Sequence, residues 1–208
     1  HGPIYLADWY NPIIGHYQYS YRHPDRDKTH GRIWRVTRKD RALVPRSKLT
    51  GLPVDQLLDQ LKAPENYTRN QARRLLGEAP AQTVLPALRQ WISRLDPNSE
   101  HHLVEALMVF ENHETIDEAL LRKLLQARDY HARAYATRLL GRWHGRVSGA
   151  LDLLDVQVRD PHPRVRLEAI VALNFIPSVR AMEVALMAAD HPADRFIEYA
   201  LRQAVQGL

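Results

Sequence analysis

From Leu52 onward apolar residues recur three and four positions apart, the spacing that lines one face of an α-helix. Val54, Leu57, Leu58 and Leu61 make one such stripe. Val84, Leu85, Leu88, Trp91, Ile92 and Leu95 make a second, and Leu120, Leu121, Leu124 and Leu125 a third. Breaks fall at Pro64, Pro80, Asp96-Pro97, Gly145, Asp160-Pro161, Pro177 and Pro192, and Thr115 with Glu118 has the spacing of a capping box. The pattern predicts about ten helices of roughly 10–16 residues joined by short turns. Residues 1–46 have a different texture. Residues 4–9 read as a short strand, and residues 31–37 as a better one, with Ile33, Arg35 and Thr37 alternating against Arg32, Trp34 and Val36. A loop rich in Tyr, Asn, Pro, Asp and His separates them. Two strands do not make an independently stable sheet. The hairpin is therefore expected to pack on the helices or to lack its sheet partners.

The helical part repeats. Arg69, Ala72 and Leu75 recur as Arg133, Ala136 and Leu139, and again as Arg166 and Ala169 with Leu173 one residue later. Weaker copies centre on Ala106 and Ala200. The alanines at 72, 106, 136, 169 and 200 lie 34, 30, 33 and 31 residues apart, a period that suits one helical hairpin per repeat. A small Ala lets neighbouring helices approach, and the following Leu fills the groove. The Asp ahead of the second helix caps it. The Arg can reach an Asp or a carbonyl of the next repeat. The run Asp160-Pro-His-Pro-Arg164-Val-Arg166 resembles the HEAT-repeat signature, whereas the Trp, Gly, Tyr and Pro positions of TPR repeats do not recur. The expected fold is mainly α: a HEAT-like α-solenoid of about five hairpins over residues 47–208, preceded by a short β-hairpin and loop segment over 1–46.

Charge changes the picture only when it is located. The net charge is +5, which by itself suggests a nucleic-acid or membrane partner. Residues 1–46 hold nine Lys/Arg against four Asp/Glu, and residues 47–208 hold twenty of each. The helical part thus has no net field to draw in phosphate. Arginine makes up 24 of the 29 basic residues, which favours paired carboxylate contacts over simple solubilising charge. Cysteine is absent, which excludes disulfides, thiolate metal sites, covalent haem attachment and a Cys nucleophile within these residues. No apolar run is long enough to cross a membrane. The chain begins at His1 and reads as a processed product or an excised segment.

The stretch from Ala7 to His16 (Ala-Asp-Trp-Tyr-Asn-Pro-Ile-Ile-Gly-His), with Asp27 and then His30 to Val36 (His-Gly-Arg-Ile-Trp-Arg-Val), resembles the end of the β-propeller in membrane-bound dehydrogenases of the planctomycete type. In that family a glucose/sorbosone-dehydrogenase-like propeller is followed by HEAT repeats and often by a cytochrome c domain. Residues 191–201 resemble the end of the helical region. The likeness covers residues 5–36, and the repeats then follow in the family's order. It implies a quinone-dependent sugar or alcohol dehydrogenase as parent, with pyrroloquinoline quinone, Ca²⁺ and haem c as its cofactors and the periplasm or cell envelope as its place. It implies the adjacent propeller and cytochrome domains, or a protein partner, as what this chain meets. This chain alone carries no cofactor by that reading, and residues 47–208 are a non-catalytic docking scaffold.

Asp8, Asn11 and His16 are the best chemical constellation. In a propeller such a loop faces the central opening. Asp8 and Asn11 offer hard oxygen ligands for Ca²⁺ or a cofactor, and a neutral His16 can accept a proton as a catalytic base. The plainer reading has Asp8 and Asn11 capping a turn and His16 bonded to backbone. His23, Asp25, Asp27 and His30 have metal-ligand chemistry but no rigid ligand spacing, and read as a solvated loop with Asp27 paired to Arg22 or Arg32. His101, His102, His113 and His162 read as surface, capping or turn residues. Arg69, Arg133 and Arg166 could form a basic stripe that binds nucleic acid, but zero net charge and the nearby Asp129, Asp155 and Asp160 favour ion pairs between repeats. Trp91 and Trp143 sit at core spacing. Three function classes follow: an interaction scaffold within an oxidoreductase, a HEAT-type nucleic-acid binder, and an enzyme using the Asp8 loop.

Overall fold

The computed structural model describes residues 3–8, 10, 13, 22–40, 42–45 and 47–206. The chain divides into two compact units, residues 1–48 and 49–208.

In the first unit β1 (Ile4–Asp8) pairs antiparallel with β2 (Arg32–Val36), in the register Ile4↔Val36, Leu6↔Trp34 and Asp8↔Arg32. The alternation in β2 does not separate a dry face from a wet one, because all five of its residues are exposed.

The second unit is a mainly helical, HEAT-like solenoid. Among its described residues are α1 (Val54–Asp59), α2 (Asn66–Glu78), α3 (Ala81–Ser93), α4 (Glu100–Asn112) and α5 (Glu118–Leu125). Then come α6 (Tyr130–Arg142), α7 (Ala150–Gln157), α8 (Pro163–Leu173), α9 (Val179–Leu186) and α10 (Arg195–Gln206). Consecutive helices pair as five hairpins, and the second members α2, α4, α6, α8 and α10 pack side by side in one row. All seven sequence breaks fall between helices. Six of these ten helices have the expected length, at 11–13 residues, whereas α1, α5, α7 and α9 are shorter, at 6–8. The reason is visible at Leu61: it continues the stripe of α1 but lies in a 3₁₀ turn, Gln60–Lys62, that tightens the helix end.

The predicted anchors are core residues. Ala72, Ala106, Ala136 and Ala169 have no exposed surface, and Ala200 almost none. Trp91 and Trp143 are buried too. Between α6 and α8 the helices pack tightly at Gly141: a Cβ there would overlap the Ala172 side chain and come to 3.0 Å from its Cα. A further long-range tie is polar. Buried Gln157 on α7 accepts from the Thr137 hydroxyl of α6 at 3.3 Å and donates to the Leu125 carbonyl of α5 at 3.2 Å. It thereby satisfies a helix-end carbonyl that burial would otherwise strand.

One cap is not where the capping box puts it. The N-cap of α5 is Asp117, whose carboxylate accepts from the Leu120 amide at 3.0 Å. Thr115 still belongs to the end of α4: its amide donates to the Phe110 carbonyl at 3.0 Å, after Glu114 turns the chain at φ 48°. A left-handed residue followed by that long-reach hydrogen bond is a helix C-terminus, and α5 cannot start until the chain has left it.

Candidate functional site

The arginines at the repeat position do two jobs. Each sits on the first turn of a second-row helix and folds back over the loop ahead of it. Arg69 donates through Nη1 to the Ala63 and Pro64 carbonyls, Arg133 to those of Ala127 and Arg128, and Arg166 to those of Asp160 and Pro161, all at 2.7–3.0 Å. The rest of the guanidinium then reaches into the next repeat. Arg133 forks onto Asp160, with Nε and Nη2 donating at 2.6 and 2.9 Å, and this pairing raises its already high pKa further. Arg69 donates to Glu105 at 2.9 Å, and Arg73 pairs with the same buried carboxylate. Arg166 finds only the Pro192 carbonyl, at 2.8 Å, and its buried Nε has no hydrogen-bond partner.

The row carries further cross-repeat pairs. Arg138 on α6 grips Glu168 on α8 through Nε at 3.2 Å and Nη2 at 3.1 Å, and Arg164 holds the same carboxylate at 2.7 Å. Arg142 bridges to Glu111 at 2.7 Å and also pairs with Glu114. The Tyr135 hydroxyl donates to Glu111; burial first, and then that carboxylate, push the phenol pKa well up. Glu100 accepts from the Arg128 and Asp129 amides at 2.7 and 2.8 Å. Asp129 in turn caps α6, accepting from the His131 amide at 2.9 Å, and Asp155 pairs locally with Arg159 at 2.8 Å. The sequence did not single out Glu105 or Glu168, although each carries a signal: a lone acid inside an apolar helical run.

The histidines take capping and turn positions. His113 Nε2 donates to the Leu76 carbonyl at the end of α2, 3.0 Å away. His102 Nδ1 lies 2.6 Å from the Ser99 hydroxyl, and burial lowers its pKa, helped by the neighbouring His101. His162 caps α8 by accepting from the Arg164 amide at 3.2 Å, and its ring stacks on Tyr130 at 3.5 Å between centroids.

In the first unit Asp8 closes the hairpin. It accepts from the Trp34 indole at 3.0 Å and the Tyr10 amide at 2.9 Å, and Arg32 lies at 3.5 Å. The indole bond first, then the amide and the arginine, hold its carboxyl below the usual range. Asn11 and His16 lie outside the described residues. Asp27 pairs with His30 at 2.8 Å rather than with Arg32, which is engaged at Asp8. The Thr29 amide and hydroxyl and His30 together hold the Asp27 carboxyl down at about 2, against the cost of partial desolvation. That is the hydrogen-bonding pattern of an Asx turn. His23 accepts from the Asp25 amide at 3.2 Å. Among the described residues no three of these groups converge as metal ligands.

Between α6 and α8 the second row is recessed. Gly141, Ala172, Val171 and Phe175 line one hollow, with Arg138 and Arg142 at its side. Tyr130, His131, Tyr135 and Arg164 line an adjoining one. Another hollow follows the turn between α8 and α9, lined by Ile176, Pro177, Val179 and Met182 among others.

The repeated hairpins, hydrogen-bonded from one to the next through their arginines, define a helical-repeat scaffold. The family profile of HEAT repeats matches residues 118–206, from the start of α5 to the end of α10, so the chain contains a HEAT-repeat region. No curated protein matches the chain. Among solved structures it is similar to two engineered proteins. One is 20% identical over 74% of this chain and 80% of that one, with a TM-score of 0.43. The other is 18% identical over 74% of this chain and 78% of that one, with a TM-score of 0.42. No described helix is long and apolar enough to cross a membrane.

Proposed function

We propose that residues 49–208 form a non-catalytic scaffold that docks a protein partner on the second-row helices. The observation that carries this reading is the use of the repeat arginines. Arg69 and Arg133 are committed to carboxylates of the next repeat, and Arg166 to carbonyls on both sides of it. Cations held this way stiffen a stack and are not free to neutralise a phosphate backbone. Stacked repeats offer an extended surface, each repeat touching only its neighbours.

Within that reading the docked partners are the propeller of a dehydrogenase and a c-type cytochrome domain, to which electrons would pass. The support is the likeness of residues 5–36 to the close of such a propeller, followed by repeats in the same order. The reading frame on either side of this chain tests it: a propeller upstream and a haem-attachment motif downstream carry it, and unrelated domains there remove it.

The scaffold itself is tested by titrating the chain with a labelled DNA duplex over a range of salt. The expected result is no binding at moderate salt. Tight binding that weakens steeply as salt rises makes the protein a nucleic-acid binder instead.

A further inference from the structure

The groove between α6 and α8 combines recessed apolar surface with half-exposed charged side chains. It has two recesses, of about 380 and 410 Å³, within the size range of sites that bury a ligand. Arg138 and Glu168 line both, so their ion pair stands between them. Gly141 and Ala172, packed against each other, both line the first recess. Its apolar wall is open, with Phe175 74% exposed and Val171 39%, and Arg142 and His144 complete the lining.

The charges are sorted by depth. The side chains of Arg138, Arg142 and Arg164 are 55%, 53% and 51% exposed, whereas those of Glu168 and Glu111 are 10% and 22% exposed. Glu114, 54% exposed, is the exception and is held by Arg142. The outer layer of charge in the groove is therefore mainly guanidinium, each paired to a carboxylate, and the three arginines balance the three glutamates. The Tyr130 ring is already stacked between His131 and His162, at 3.8 and 3.5 Å, so it is not a free platform for a base.

We propose that this groove binds an extended acidic–apolar segment of a partner protein. One large apolar side chain enters the recess beside Gly141 and Phe175, and carboxylates next to it in the segment meet Arg138, Arg142 and Arg164. The inference rests on the scaffold reading and gives it a location and a partner chemistry.

The test is a selection of short random peptides with the whole 208-residue chain as bait, followed by titration of the enriched peptides after labelling. The enriched peptides are expected to share an aromatic or large aliphatic residue within a few positions of Asp or Glu. Their affinity should fall by about tenfold or more against Phe175→Asp and against Arg138→Gln, and should weaken as salt rises. Phe175 is exposed enough for the first variant to fold, which circular dichroism checks. Changing the peptide carboxylates to amides asks the same question without altering the protein, and should also cost affinity. Enriched peptides that bind Phe175→Asp as well as the parent, or that lack acidic residues, overturn the groove while leaving the scaffold standing. Failure to enrich any peptide also overturns the groove. Salt-steep binding of a single-stranded oligonucleotide overturns the scaffold reading as well.

Discussion

The α6–α8 and α8–α10 junctions use equivalent positions and fill them differently. At the first, Arg133 forks onto the Asp160 carboxylate, Tyr130 stacks on His162, Arg138 holds Glu168, and Gly141 lets the helices close in. At the second, Pro192 stands where Asp160 does, and Arg166 reaches only its carbonyl, leaving Nε unpartnered. Asn174 adds one bond to the Ala200 carbonyl at 3.3 Å. The common part is the arginine folding over the two carbonyls of its own loop. The carboxylate is the variable part, and it decides how firmly one repeat holds the next. In a stack of repeats stability is close to a sum of such neighbour terms, so the last hairpin, α9–α10, should open before α5–α8 and exchange its amides faster.

The largest effect expected is at Asp160. It accepts from Arg133 twice and from the His162 amide at 2.8 Å, so Asp160→Ala strands a largely buried cation and removes a turn. Breaking such a pair costs about 3–5 kcal/mol. Arg166→Met leaves no acid behind, only loop carbonyls, and should cost about 1–2 kcal/mol. Denaturant midpoints of the two variants decide the matter: equal losses mean that the carboxylate is not what separates the junctions.

Gly141→Val comes next. Its side chain would have to displace Ala172 and the α8 backbone behind it. Overpacking of this kind costs about 1–3 kcal/mol. The loss should appear as faster amide exchange in both α6 and α8, where the same change at Gly77, which meets the movable Asn112 side chain, should cost less.

Much of the first junction was legible in the sequence. The Arg-x-x-Ala-x-x-Leu register located the buried alanines, and acids near Arg133 suggested its ion pair. The reasons for the misses are physical. Leu-Leu-Gly recurs at 75–77 and 139–141, yet only a three-dimensional contact shows that Gly141 meets backbone and Gly77 a side chain. Ala200 fits the period but belongs to a helix whose capping residue, Asp194, comes one position closer to it than in the other repeats. Val171 and Phe175 have the spacing of core residues, and exposure alone marks them as groove walls. The groove was therefore invisible to periodicity, which reports that a face is apolar but not whether a neighbour covers it.

The smallest effect is a gain, and it probes the comparison most directly. If a missing carboxylate is what weakens α8–α10, Pro192→Asp should supply it. The position is exposed, unlike that of Asp160, so solvent screens the new pair. Replacing proline also frees the unfolded chain, which offsets about 0.4–1 kcal/mol. A charge-assisted hydrogen bond to buried Nε contributes about 1.5–3 kcal/mol before those deductions. The net should be about 0.5–1 kcal/mol of added stability, with slower exchange confined to α9 and α10. Arg166→Met supplies the control: in that background Pro192→Asp has no cation to meet, and the gain should vanish. A gain that persists there would come from the loop itself, and the two junctions would then differ for a reason other than the acid.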